Sequence, residues 1–247
     1  MAATGHGHAA AVGRPVAQLL AARPAAPAPP TPGAVDLRPK MPPVYDQGQL
    51  GSCTANALCA ALQCAHPTRP MGSRLFLYYN ERRMEDDVPD DAGAQLSDGV
   101  SCLETVGVCP ESEWPYVVSK FAVAPPSRCY IDASKNRASY ASYAVPADAA
   151  TMKRVLAAGH PFVVGIAVYA SFESAAVAAT GVVPMPRPAA EQCLGGHAIL
   201  CVGYDDARGT WTMRNSWGAA WGDRGYFYLP YAYLLDAALA SDAWAVL

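Results

Sequence analysis

Apolar residues follow two different rhythms along the chain, and the change falls near its middle. Four early stretches carry Ala, Leu and other helix formers with few breakers, the pattern of helices packed on a core. They are Ser52–Cys64, Arg74–Met84 (RLFLYYNERRM), Gln95–Val106 and Met152–Ala158. Gly107 and Pro110 stop the third; Gly159 and Pro161 stop the fourth. Four later runs read as strands separated by Gly, Pro and Asp: Phe162–Tyr169 (FVVGIAVY), His197–Tyr204 (HAILCVGY), Thr210–Arg214 and Gly225–Leu229. Val35–Met41, short and mixed, reads as an edge strand. Helices first and strands later predict an α+β chain with two segregated lobes. The helical lobe is expected over about 44–135 and the β-rich lobe over about 136–247. No internal repeat is visible.

The first 34 residues break both rhythms. They are rich in Ala, Pro and Gly, with APAPPTPG at Ala26–Gly33. Such a segment has little to bury and reads as a flexible or polyproline-type arm. His6 and His8 belong to it and read as solvated. Val16–Ala22 is too short and interrupted for the apolar region of a signal peptide, and no clear basic region precedes it.

Composition and charge narrow the function classes. Among the 247 residues, 52% are hydrophobic and 16% charged, which describes a globular protein with room for one large domain or two lobes. Formal net charge is −3, with no basic stripe, so no nucleic-acid partner is expected. No apolar run approaches the roughly 18 residues of a membrane span. The compartment stays open between cytoplasm and non-classical secretion. The eight cysteines include no CxxC pair, and most sit in apolar surroundings, where buried free thiols are the simple reading. The even count leaves disulfides open.

Cys53 stands apart from the other seven. Gly48 and Gly51 allow a tight path just before the first helix, which puts this thiol at a helix N-terminus. A helix dipole and a nearby imidazolium both favour the thiolate that attacks a carbonyl. A structural cysteine in a turn is the competing reading. Of the five histidines, His197 opens an apolar strand after Gly195-Gly196, whose lack of side chains permits close approach of a substrate. A satisfied core histidine would look the same. Asn215, in Arg214-Asn215-Ser216-Trp217-Gly218, can fix an imidazole's tautomer and plane without adding charge, and Trp217 can shield that bond. Gln47 offers a side-chain amide, and Cys53 a backbone N–H, to a developing oxyanion. A packed turn and a solvated loop glutamine are the plain alternatives.

Taken in order, these four positions resemble the papain family of cysteine peptidases. Gln47 precedes Cys53 by six residues and His197 follows it by 144, inside that family's window of about 130–150. Asn215 follows by 162, somewhat beyond it. Trp217-Gly218 and Trp221–Phe227 (WGDRGYF) look like the family's C-terminal block, and the resemblance covers roughly 35–247. It implies a papain-like fold with a helical lobe, a barrel-like β-rich lobe and the active site in the cleft between them. It implies a thiol protease that hydrolyses peptide or protein substrates through a Cys53 thioester, without metal or organic cofactor, as a monomer. The segment Asp91–Gln95 is similar to the family's glycine-rich strip that pairs with the substrate backbone, so Gly93 and Ala94 are expected to bind substrate, with Gly196 and Trp217 opposite. The sequence also departs from the pattern. Leu50 stands where a common family disulfide has one cysteine, and Thr54 where an aromatic follows the nucleophile. This variant, Gln-Gly-x-Leu-Gly-Ser-Cys-Thr-Ala-Asn, looks like a bacterial and viral subgroup. The arm is expected to run through or over the cleft as an intramolecular ligand. An acyl transferase of transglutaminase type and a silent binding module remain alternatives.

Overall fold

A computed structural model describes residues 14–21 and 31–247. In chain order its elements are β1 (Arg14–Pro15), α1 (Val16–Ala21), β2 (Ala34–Asp36), α2 (Cys53–Ala65), α3 (Arg74–Met84), α4 (Leu96–Thr105) and α5 (Ser127–Asn136). There follow β3 (Ser142–Ala144), α6 (Ala149–Ala157), β4 (Phe162–Tyr169), α7 (Ala175–Thr180), β5 (Cys193–Asp205), β6 (Thr210–Arg214), β7 (Tyr226–Pro230), α8 (Tyr231–Leu235) and β8 (Ala240–Val246). One sheet runs in the order β1-β3-β8-β4-β5-β6-β7, with β2 paired to β5 off that path.

Helix α2 lies between the other helices and the sheet. Thr54 through Leu62 are all buried, so the helix is covered nearly all round, as a central helix must be. It packs on α3 and α4 at one side and on β5 at the other. Both strands at the middle of the sheet, β4 and β5, are apolar runs, and they pair antiparallel with Ile166 opposite His197. Helix starts follow side-chain chemistry. Ser73 Oγ accepts from the Phe76 N–H at 3.1 Å, and Asp148 accepts from the Thr151 N–H at 2.8 Å.

Several elements differ from the sequence expectation. The edge strand ends at Asp36 and gives way to a 3₁₀ turn at Arg38–Lys40. Asp36 causes this: its carboxylate accepts the Arg38 N–H at 2.9 Å and pairs with the guanidinium at 2.8 Å, which curls the chain. Strand β2 can close on β5 only because residue 203 is glycine; a Cβ there would meet Val35 O at 2.2 Å. Strand β8 was not expected, because Ser241 and Asp242 interrupt its apolar run; pairing with both β3 and β4 holds it in place. Helix α5 buries only Cys129 and Ala133, too thin a stripe to read from sequence.

Part of the N-terminal arm is also structured. Arg14 and Pro15 pair in parallel with Tyr143 and Ala144, and Val16 and Leu19 are buried. The expectation of an extended arm therefore does not hold for Arg14–Ala21, whose apolar side chains find a sheet edge to pack on. Residues 1–13 and 22–30, with His6 and His8, lie outside the described residues. Among the described residues no helix is long and apolar enough to cross a membrane. All eight cysteines are free thiols, and five of them are fully buried.

Candidate active site

Two loops and two strand ends meet at a cleft of about 770 Å³. Gln47, Cys53, Gly93 and Ala94 line it from the helical side; Gly196, His197 and Trp217 line it from the β side. Asn215 lies behind them, buried beneath the surface of the cleft. The expected site residues thus come together, with Asn215 as the hidden member.

Cys53 is the first residue of α2. Ser52 precedes it in the cap position but makes no cap bond. Its hydroxyl is instead 2.5 Å from the Tyr116 hydroxyl and accepts from Asn56 Nδ2 at 3.1 Å. The first N–H groups of the helix are therefore left free for other acceptors. Burial pushes the Cys53 thiol up, opposed by backbone N–H groups of Ala198, Thr54 and Cys53 itself. Ala198 follows His197 on β5, and both line the cleft that Cys53 faces.

His197 Nε2 lies 2.9 Å from Asn215 Oδ1. The Ser216 N–H donates to the same oxygen at 2.8 Å. A backbone donor thus fixes which end of the amide faces the ring, and Nε2 must carry a proton to complete the bond. Nδ1 is then the ring nitrogen left for the cleft. Trp217 stacks on the imidazole, with centroids 4.9 Å apart and planes 25° apart. Trp217 in turn is held edge-on by Phe172 and Trp221 at 5.7 and 5.1 Å. Burial pushes His197 down; its bond to Asn215 and the charge of Glu173 resist. Either charge alone is penalised at this site, while a thiolate and an imidazolium formed together would each lessen the other's cost.

Gln47 is buried and doubly anchored. Its Nε2 donates to Leu50 O at 2.8 Å, and its Oε1 accepts from Ser216 Oγ at 2.5 Å. One N–H of the amide remains for the cleft. Nothing local in the sequence marked Ser216 for this role, although it stands beside Asn215; one side chain and one backbone group of Ser216 hold both polar partners of the site.

Asp91 was also missed. Its carboxylate accepts the Gly51 N–H at 3.0 Å and the Tyr78 hydroxyl, while the Gly93 N–H donates to Tyr78 Oη at 3.3 Å. The strip and the nucleophile loop are thereby clamped together where Leu50 leaves no disulfide. The two loops touch so closely that a Cβ at Gly51 would lie 3.2 Å from the Gly93 backbone. Buried Arg82 supports the strip by donating to Val88 O and Asp90 O at 2.7 and 2.9 Å.

Similarity to known proteins agrees with this geometry. Residues 31–244 match the family model of the papain family cysteine proteases. An uncharacterized peptidase C1-like protein of Acanthamoeba polyphaga mimivirus is 41% identical over 231 residues, 87% of this chain and 74% of that protein. A cathepsin L-like peptidase of Aedes aegypti is 30% identical over 217 residues, 79% of this chain and 58% of that protein. Among solved structures, xylellain, a cysteine protease from Xylella fastidiosa, superposes with a TM-score of 0.82 at 40% identity, covering 87% of this chain and 86% of that one.

Proposed function

The chain belongs to the papain family of cysteine proteases, and we propose that it hydrolyses peptide bonds with Cys53 as nucleophile. The observation that carries the assignment of roles is that Cys53, at the start of α2, and His197 line one cleft, with His197 Nε2 held 2.9 Å from Asn215 Oδ1. Cys53 gives its proton to His197 Nδ1 and attacks the substrate carbonyl carbon. The carbonyl π electrons move to oxygen, where the Cys53 N–H and the free N–H of Gln47 receive the oxyanion. His197, held by Asn215, then returns its proton to the leaving amine as the C–N bond breaks. Water, deprotonated by His197, opens the thioester and restores the thiol. Gly93 and Ala94 supply backbone groups to the acyl side of the peptide, and Gly196 leaves room for it. Trp217 keeps water from the His197–Asn215 bond.

Gln47→Ala is expected to lower kcat by about 100- to 1000-fold, the usual loss for one oxyanion donor. Single-turnover hydrolysis of a fluorogenic peptide reads this directly. Unchanged kcat would remove Gln47 from the oxyanion site. An epoxysuccinyl probe tests the nucleophile: it must label Cys53 and stop casein hydrolysis together.

The N-terminal arm as a ligand of the same cleft is a further proposal. Because Arg14–Ala21 dock on β3, only other residues of the arm would reach the site. Two truncations separate the arm's effects. A chain beginning at Val35 loses buried Val16 and Leu19 and should unfold at lower urea, by about 2–5 kcal/mol at roughly 1.5–3 kcal/mol per buried side chain. A chain beginning at Arg14 keeps them and should gain activity if residues 1–13 shade the cleft. Equal peptide hydrolysis and equal inhibitor on-rates in all three chains would end the proposal.

A further inference from the structure

Charge is unevenly distributed in the cleft. Asp91, Glu173 and Asp242 line it, and no Lys or Arg does. Two of these carboxylates are already engaged. Asp91 holds the Gly51 N–H, and Asp242 accepts the Ser97 N–H at 3.2 Å and the Trp244 indole N–H at 2.6 Å. Glu173 is exposed and, among the described residues, accepts no hydrogen bond and forms no ion pair. Its charge is nevertheless felt at His197.

The backbone beneath Glu173 is held on both sides. Phe172, fully buried, donates its N–H to Tyr169 O at 2.9 Å and packs edge-on against Trp217. The Ser171 N–H donates to Glu191 Oε2 at 2.9 Å, and Ser174 caps α7. Glu173 therefore stands at a fixed place on the flank of the cleft formed by Trp217 and His197. Leu96, Ile166 and Ser241 line the other flank, where α4 and β8 meet β4. The leaving amine must depart on the His197 flank, since His197 supplies its proton.

We propose that Glu173 is a specificity-determining residue that receives a Lys or Arg side chain from the leaving-group side of the cleaved bond. The proposal rests on the peptidase reading given above. A free carboxylate at the rim of a cleft without cations attracts a cationic side chain and repels an acidic one. Partial exposure keeps the effect modest and screened by salt.

The test uses the full chain and three quenched peptides that share their acyl side and carry Arg, Ala or Glu as the first leaving-group residue. Wild type should prefer Arg to Glu by roughly three- to tenfold in kcat/KM at low salt, and less at high salt. Glu173→Gln should flatten the series, and Glu173→Arg should invert it. The Arg-to-Glu ratio cancels any change that Glu173 makes in His197 itself. Two failures are distinguishable by labelling Cys53 with iodoacetamide. If no peptide is cut and Cys53 is not labelled, the peptidase reading falls and this inference with it. If Cys53 is labelled and peptides are cut with equal Arg and Glu rates, the assignment to Glu173 alone is overturned.

Discussion

Substituting Ala for His197 is expected to lower kcat/KM for peptide hydrolysis by about 10⁴- to 10⁶-fold, the range seen when a member of a nucleophile–base unit is removed. Two losses combine. The leaving amine no longer finds a proton, and the Cys53 thiol loses the cation that offsets its burial. The second loss has its own signature. Iodoacetamide alkylation reads the thiolate, so the variant should react slowly at neutral pH and speed up only at high pH, because burial pushes the lone thiol up. Cys53→Ala should lose the fast alkylation at position 53, leaving only the slower reaction of exposed Cys193, and should lose hydrolysis to the same extent. Asn215 and Trp217 would remain in both variants, which limits the damage to the cleft itself. An alkylation profile for His197→Ala that overlays wild type would show that no imidazolium assists Cys53.

The second large effect concerns stability. Glu81 lies on α3 and is fully buried, with the Thr54 hydroxyl donating to Oε2 at 2.7 Å. Oε1 has no hydrogen-bond partner. Burial pushes the carboxyl up to about 8; the bond from Thr54 opposes this, and the nearby charges of Cys53, Glu85 and Asp98 add to it. In the unfolded chain the same group loses its proton near the ordinary Glu value, about 4.3. Between these values the folded protein holds one more proton than the unfolded one. Its stability is therefore fully present below about pH 4 and declines as pH rises through about 8. The slope is about 1.4 kcal/mol per pH unit, so the whole window amounts to about 5 kcal/mol. Glu81→Gln carries no titratable proton and should lose this slope, whatever its absolute stability. Urea midpoints at pH 5 and pH 8.5 measure it. Wild type and variant falling in parallel would show that Glu81 does not keep its proton in the fold.

Legibility followed local chemistry. Helix α3 and strands β4 and β6 have the bounds their sequences predict, because each is a coherent apolar pattern with its own stop signals. Strand β8 was hidden because its polar residues conceal a strand that two neighbours impose. Helix α1 was hidden in an Ala- and Pro-rich run, where only the edge of β3 gives Val16 and Leu19 something to cover. At the site, Gln47, Cys53, His197 and Asn215 could be picked out because resemblance to a family depends on order and spacing. Their helpers could not. Tyr116 reaches Gln47 O across 69 positions, and Ser216 reaches Gln47 Oε1 across 169.

The sequence by itself determined which side chains are available for chemistry: a thiol at a helix start, an imidazole behind two glycines on an apolar strand, and two amides; the strand itself begins at Cys193, four residues before His197. Those follow from residue type and near neighbours, which the chain carries wherever it goes. Only the tertiary structure decided how Cys53 is used. It turned the Ser52 side chain away from the helix end, brought His197 and Cys53 to one cleft, oriented Asn215 through Ser216, and set Glu173 on the His197 flank. Each of those depends on groups far apart in sequence whose partners are chosen by packing, and packing is decided only when the whole core closes.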